Sequence, residues 1–143
     1  MIDENVNILK EIGLKVTPQR QAILRLLDGN VSHPSADSIH LEVLKEYPAM
    51  SFATVYNILA KLAKVGKIQE LDIDPNKKRF DPCTTPHSHF YCRSCGNVFD
   101  LVCDALCLDS VYKLRAFGGH QIESIQLNFK GLCKDCISKQ QDV

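Results

Sequence analysis

Apolar and polar positions follow two different periods along this chain, and the change falls near its middle. Up to residue 66 the apolar residues recur at helical spacing. Val6, Ile8, Leu9 and Ile12 predict a helix over 4–12 that Gly13 closes. Thr17-Pro18 supplies the next helix with an N-cap and a first residue, and Ala22, Ile23, Leu26 and Leu27 form its stripe. His33-Pro34 interrupts the chain, with His33 expected in the extended conformation that precedes a proline. Ser35 caps a third helix, which carries Ile39, Val43 and Leu44 and ends near Tyr47-Pro48. Ser51 caps a fourth, with Phe52, Val55, Leu59, Leu62 and Val65 on one side and Gly66 at its end.

From residue 67 alternation takes over. Ile68, Glu70 and Asp72 oppose Gln69, Leu71 and Ile73 as in a strand, Asp74-Pro75-Asn76 is a turn, and Lys77-Lys78-Arg79-Phe80 begins the return strand. Helices followed by a β-hairpin are the order of a winged helix. Residues 83–86 read as a hinge between domains spanning 1–82 and 87–143. The second half predicts strands near 88–92 and 97–102, a helix near 105–117, a strand near 121–129 and a loose polar tail after Cys136. The expected class is α+β.

Composition changes this picture in one respect. Of 143 residues, 45% are hydrophobic and 24% charged, which is globular rather than disordered. Seventeen basic and 17 acidic residues cancel, so a nucleic-acid reading has to rest on where the basic residues lie. The N-terminus lacks a basic region followed by an apolar core, and no apolar run exceeds four residues, so neither a signal peptide nor a membrane span is expected. The distinctive number is seven cysteines. In the cytoplasmic setting expected here, paired cysteines bind metal or do redox chemistry more often than they form structural disulfides.

Four of them form two CxxC pairs, Cys92-Arg93-Ser94-Cys95 and Cys133-Lys134-Asp135-Cys136, each beside a glycine read as part of a turn (Gly96, Gly131). Two such knuckles can present four thiolates to one Zn(II). One pair alone would leave redox disulfides or buried thiols open; two in a short domain favour zinc. Cys83, Cys103 and Cys107 have no second knuckle and read as small buried hydrophobes, with a redox role open for Cys103 and Cys107.

A second cluster mixes imidazole and carboxylate. His87 and His89 share a face if they lie on a strand, with Asp81 before them, Asp100 on the next strand and His33 in the first half. Such donors suit Fe(II), Mn(II), Zn(II) or Co(II). A solvated strand and a helix cap would equally produce these residues, and His40 and His120 read as solvated or locally hydrogen-bonded. On the fourth helix Thr54, Asn57, Lys61 and Lys64 form a continuous polar face flanked by Tyr56. Lys15, Arg20, Lys77, Lys78 and Arg79 would add phosphate contacts. Without the hairpin and its basic residues, that face would be an ordinary solvated surface.

Together, TPQRQAIL (17–24), HPSADSI (33–39), SFATVYNIL (51–59), RFDP (79–82), HSHFYCRSCG (87–96) and GLCKDC (131–136) resemble the ferric uptake regulator (Fur) family over nearly the whole chain. Within it the sequence is most similar to the peroxide-stress regulators. The resemblance implies an N-terminal winged-helix DNA-binding domain, a hinge and a small C-terminal α/β dimerisation domain. It implies structural zinc on Cys92, Cys95, Cys133 and Cys136, and regulatory Fe(II) or Mn(II) on His33, Asp81, His87, His89 and Asp100. It also implies a cytoplasmic homodimer that represses by binding double-stranded operator DNA. Peroxide would act by oxidising His33 or His87, and the protein would not be an enzyme.

Aspartate at position 100 is the residue that favours peroxide sensing, since iron-sensing members tend to carry glutamate there. An iron- or zinc-responsive repressor of the same family is the sibling reading. A zinc hydrolase or thiol oxidoreductase, and a module that uses its helices only for protein contacts, are readings from other classes. His-Glu-x-x-His and Gly-x-Ser-x-Gly are both absent. The chain departs from the family at Ile125-Gln126-Leu127-Asn128, where many members have His-x-Leu-Glu, and in its three additional cysteines.

Overall fold

The computed structural model describes residues 3–102 and 108–141. The chain divides into two compact units, one up to Thr84 and one from Thr85 on.

The first unit runs α1 (Glu4–Glu11), α2 (Pro18–Leu27), α3 (Ala36–Glu46), α4 (Phe52–Lys64), then β1 (Gln69–Leu71) and β2 (Arg79–Asp81). Local chemistry sets the helix starts. The side-chain oxygens of Thr17, Ser35 and Ser51 accept from the amides of Arg20, Ser38 and Thr54, satisfying donors that a first helical turn leaves open. Gly66, at φ 77°, ends α4 in the left-handed conformation that glycine adopts without strain. The strands form a two-stranded antiparallel ribbon pairing Glu70 with Phe80, which gives the helix–ribbon order of a winged helix.

One core holds this unit: Leu9, Ile23, Leu27, Ile39, Val43, Val55, Leu59 and Leu62, with Ile68 just before the ribbon and Phe80 within it. Each fully buried side chain of this kind stabilises by about 1.5–3 kcal/mol relative to exposure. The stripe predicted for α4 needs correction at both ends. Phe52 and Val65 are exposed, and Ile58 takes the buried place. Phe52 is the first residue of α4 and Val65 its C-cap, so helical period alone does not decide their burial.

The second unit contains β3 (Ser88–Cys92), β4 (Val98–Leu101), α5 (Asp109–Tyr112), β5 (Ala116–Phe117), β6 (His120–Gln121), β7 (Asn128–Gly131) and α6 (Lys134–Gln141). Its main sheet has the order β4-β3-β7, with β3 antiparallel to β4 and parallel to β7. The helix expected over 105–117 is one short turn within the described residues, and Ala116–Phe117 pairs with His120–Gln121 across Gly118-Gly119. The strand expected over 121–129 splits into β6 and β7. The tail after Cys136 continues a helix, because the second cysteine knuckle opens α6 and the amide of Ile137 donates to the Cys133 carbonyl at 3.0 Å.

Candidate metal centres and nucleic-acid interface

The first CxxC pair turns out of β3, and Gly96, at φ 74°, makes the reversal. The second pair follows β7 and enters α6. Gly131 is not a turn residue; it is the last residue of β7, paired in register with Cys92. That pairing places the two knuckles side by side. All four sulfurs lie within 4.8 Å of one another, and Cys95 and Cys133 Sγ are 3.9 Å apart. Zn–S bonds of about 2.3 Å in a tetrahedron would put sulfurs about 3.8 Å apart, so the thiols fit zinc as they stand.

Their electrostatics show what an ion would do. The Cys95 amide, with the Cys133 amide at 3.3 Å, holds the Cys92 thiol down at about 6 despite burial. Cys136 is pushed up to about 12, first by its hydrogen bond with Cys133. At Cys95 the Asn97 amide is the strongest single influence and lowers the value, but burial with Cys92 and Cys133 outweighs it and the thiol is raised. One thiolate therefore forms readily while Cys95 and Cys136 resist, and a dication would offset that resistance. Cys92, Cys133 and Cys136 are buried, and Phe90, Phe99 and Leu132 pack around them.

The imidazole–carboxylate donors lie in both units. In the second, His87 immediately precedes β3, His89 lies within it, and His89 pairs in register with Asp100 of β4. Oδ1 of Asp100 lies 3.1 Å from His87 Nε2 and 3.5 Å from His89 Nε2, and the rings are 4.4 Å apart. His87 Nδ1 donates to the Thr85 carbonyl at 2.6 Å, which leaves Nε2 as the ring nitrogen that faces the carboxylate. Three donors thus converge with ligand-like orientation. Asp100 keeps 39% of its side chain exposed, so this side is open to solvent.

In the first unit His33 Nε2 lies 3.4 Å from Asp81 Oδ2, with both side chains buried. The Cys83 amide donates to Asp81 Oδ1 at 2.9 Å, aiming the other oxygen at the histidine. His33 is not extended: its φ of 52° is left-handed, in spite of the proline that follows. From β2, remote in sequence, Arg79 Nη1 donates to the His33 carbonyl at 3.1 Å and the Phe80 amide to the Pro34 carbonyl at 2.8 Å. Cys83 is exposed, not buried as expected. Cys103 and Cys107 lie outside the described residues. His40 reaches the Met50 carbonyl at 2.8 Å, ten residues away, and His120 is exposed.

The polar residues predicted to meet DNA are gathered on the first unit. Arg20, Thr54, Asn57, Lys61 and Lys64 line one shallow concavity of about 410 Å³ along α4. Arg20 is oriented by a 2.8 Å hydrogen bond to the Lys15 carbonyl. Tyr56 is 40% exposed and stacks on Phe52, whose other neighbour is the edge of His40. Lys77 is exposed on the ribbon, while Lys78 forms a 2.6 Å ion pair with Glu70. Arg79 differs from its expected role: its guanidinium turns inward to Asp74 and to the His33 carbonyl. The Phe52 pairing and the inward Arg79 were not foreseen. The i,i+4 spacing of Phe52 and Tyr56 was the available signal for the first; nothing local signals the second.

The model of the ferric uptake regulator family matches residues 11–130. The peroxide operon regulator of Bacillus subtilis (strain 168) is 36% identical over 140 residues, covering 97% of this chain and 95% of the relative. Among solved structures, the Campylobacter jejuni peroxide stress regulator superposes with a TM-score of 0.69 at 32% identity, over 92% of this chain and 98% of that one. The Vibrio cholerae ferric uptake regulator superposes at 0.72 with 27% identity, over 90% and 99%. With its winged helix, its four-thiol cluster and its imidazole–carboxylate donors, the chain belongs to the ferric uptake regulator family. It is a metal-responsive transcription regulator, not an enzyme. No helix among the described residues is long and apolar enough to cross a membrane.

Proposed function

We propose that this protein is a cytoplasmic, homodimeric, peroxide-responsive repressor that binds operator DNA when loaded with Fe(II) or Mn(II). The observation that carries the reading is the convergence of His87 and His89 Nε2 on one oxygen of Asp100, with His87 already oriented by the Thr85 carbonyl. Similarity to peroxide regulators from Bacillus subtilis and Campylobacter jejuni supports it. In this reading Cys92, Cys95, Cys133 and Cys136 hold a permanent zinc. His33 and Asp81 join His87, His89 and Asp100 around one regulatory ion, and residues 83–86 are the hinge whose angle that ion fixes.

The residues then divide the work. Thr54, Tyr56 and Asn57 meet base edges, while Lys15, Arg20, Lys61, Lys64, Lys77 and Lys78 meet phosphates. In a dimer the hinge angle sets whether two such faces reach successive major grooves. Bound Fe(II) supplies the redox chemistry by which peroxide transfers an oxygen atom to a ligand imidazole and leaves as water. His33 and His87 are the acceptors. An oxygenated imidazole is a poorer ligand, so the hinge relaxes and the operator is released.

Peptide mass spectrometry after treatment of the Fe(II)-loaded protein with peroxide tests this directly. One added oxygen on the peptide containing His33 or His87 is expected, with none in the Mn(II) form. Operator-binding Fe(II) protein that gains no oxygen and stays bound would instead be a sensor of the metal alone.

A further inference from the structure

Arg79 and Asp74 form a pair that the metal and DNA assignments leave unused. Asp74 Oδ2 accepts from Arg79 Nε at 3.0 Å; the carboxylate side chain is 3% exposed and the guanidinium 14%. The other arm of the fork, Nη1, donates to the His33 carbonyl at 3.1 Å across 46 residues of sequence. One residue further along β2, the Phe80 amide donates to the Pro34 carbonyl at 2.8 Å. The strand thus grips both carbonyls of the His33-Pro34 step.

That grip answers a specific problem. His33 has φ 52°, a conformation few non-glycine residues adopt. Pro34 adds a further restriction, since a residue before proline favours extended backbone. Local preference would therefore rotate His33 out of its present position and carry its imidazole away from Asp81. The contacts that oppose this come from β2. Arginine suits the task because its planar fork holds two acceptors in a fixed geometry, whereas the three donors of lysine rotate on a flexible stem. Asp74 locks the fork, and its other oxygen accepts from the Asn76 amide at 2.9 Å, closing the turn of the ribbon.

We propose that Arg79, locked by Asp74, is a positioning residue that holds His33 in its ligand-presenting backbone conformation. The inference rests on the reading of His33 as a ligand to the regulatory metal. It also ties that ligand to the turn of the wing through one run of hydrogen bonds, Asn76–Asp74–Arg79–His33.

The test is a double-mutant cycle on Mn(II) affinity in the zinc-loaded protein, using the parent chain, Arg79→Gln, His33→Ala and the double variant. Arg79→Gln is expected to weaken Mn(II) binding by about 10-fold or more, the range for residues that orient a ligand from behind. Zinc content should stay unchanged, Arg79→Lys should restore little, and Arg79→Gln should add no loss once His33 is alanine. If His33→Ala weakens binding and Arg79→Gln does not, the positioning role is overturned and the ligand assignment stands. An equal loss from Arg79→Gln in both backgrounds also overturns it, since the residue would then act independently of His33. If His33→Ala leaves Mn(II) affinity unchanged, the ligand assignment falls and the positioning role falls with it. Should Arg79→Gln fail to fold, the charge-neutral pair Asp74→Asn with Arg79→Gln, which leaves no buried carboxylate unpaired, replaces it in the same cycle.

Discussion

The two units are stabilised by different chemistry. The first has an apolar core drawn from four helices and a ribbon, with Leu9, Ile23, Val55 and Leu59 fully buried. In the second, the buried cluster around the knuckles consists of Cys92, Cys133 and Cys136, with partly buried Phe90, Phe99 and Leu132 against it. A helical core holds together by surface removed from water. Four thiols of which two resist ionisation gain stability when a cation takes all of them as thiolates. The difference predicts a first unit that folds without metal and a second whose fold depends on its ion.

Zinc removal should break this comparison most strongly. Structural thiolate sites contribute on the order of 10–16 kcal/mol in zinc-finger peptides. Chelation, or Cys92→Ser, should therefore collapse amide dispersion in the second unit while the helical circular dichroism of the first persists. Retained dispersion throughout would mean that the second unit does not depend on its metal. A smaller effect sharpens the contrast from the other side. Leu59→Ala should cost about 2–5 kcal/mol in the denaturant unfolding of the first unit and leave zinc content unchanged. A loss of zinc on this substitution would show that the units fold as one.

The smallest effect concerns pH. Burial raises the Asp74 carboxyl, but the Asn76 amide and the Arg79 guanidinium outweigh it and hold the group below its usual 3.8. Because the folded value is depressed, the contribution is complete above about 3.8 and is lost as pH falls through the lowered value. Acid titration below about pH 4 should destabilise the first unit of the parent chain more than that of Asp74→Asn. Identical acid sensitivity would remove the pair from the stability of this unit.

What was legible in the sequence follows from the range of the interactions. Thr17, Ser35 and Ser51 declare themselves as caps because the amides they serve lie three residues away. The two CxxC pairs show their grouping by spacing alone, and the register of β3 with β7 completes it. His87, His89 and Asp100 were recognisable as a set because a strand pair brings i, i+2 and a cross-strand neighbour together. Family resemblance puts His33 in the same set, but its backbone is left-handed where the following proline predicts extended. The proline rule is local, and the contacts that overrule it come from Arg79 and Phe80. The basic run around Arg79 suggests phosphate contact, whereas its partners, Asp74 and the His33 carbonyl, lie outside that run. The polar composition of α6 hides that a cysteine knuckle can start a helix.

The most direct measurement is binding to a palindromic operator of the family type by the zinc-loaded protein with Mn(II) or Fe(II), before and after a low dose of peroxide. The proposed repressor binds in both forms at first and releases only in the Fe(II) form. Continued binding by both forms after peroxide would contradict peroxide sensing, and failure of either metal to promote binding would contradict metal-gated repression itself.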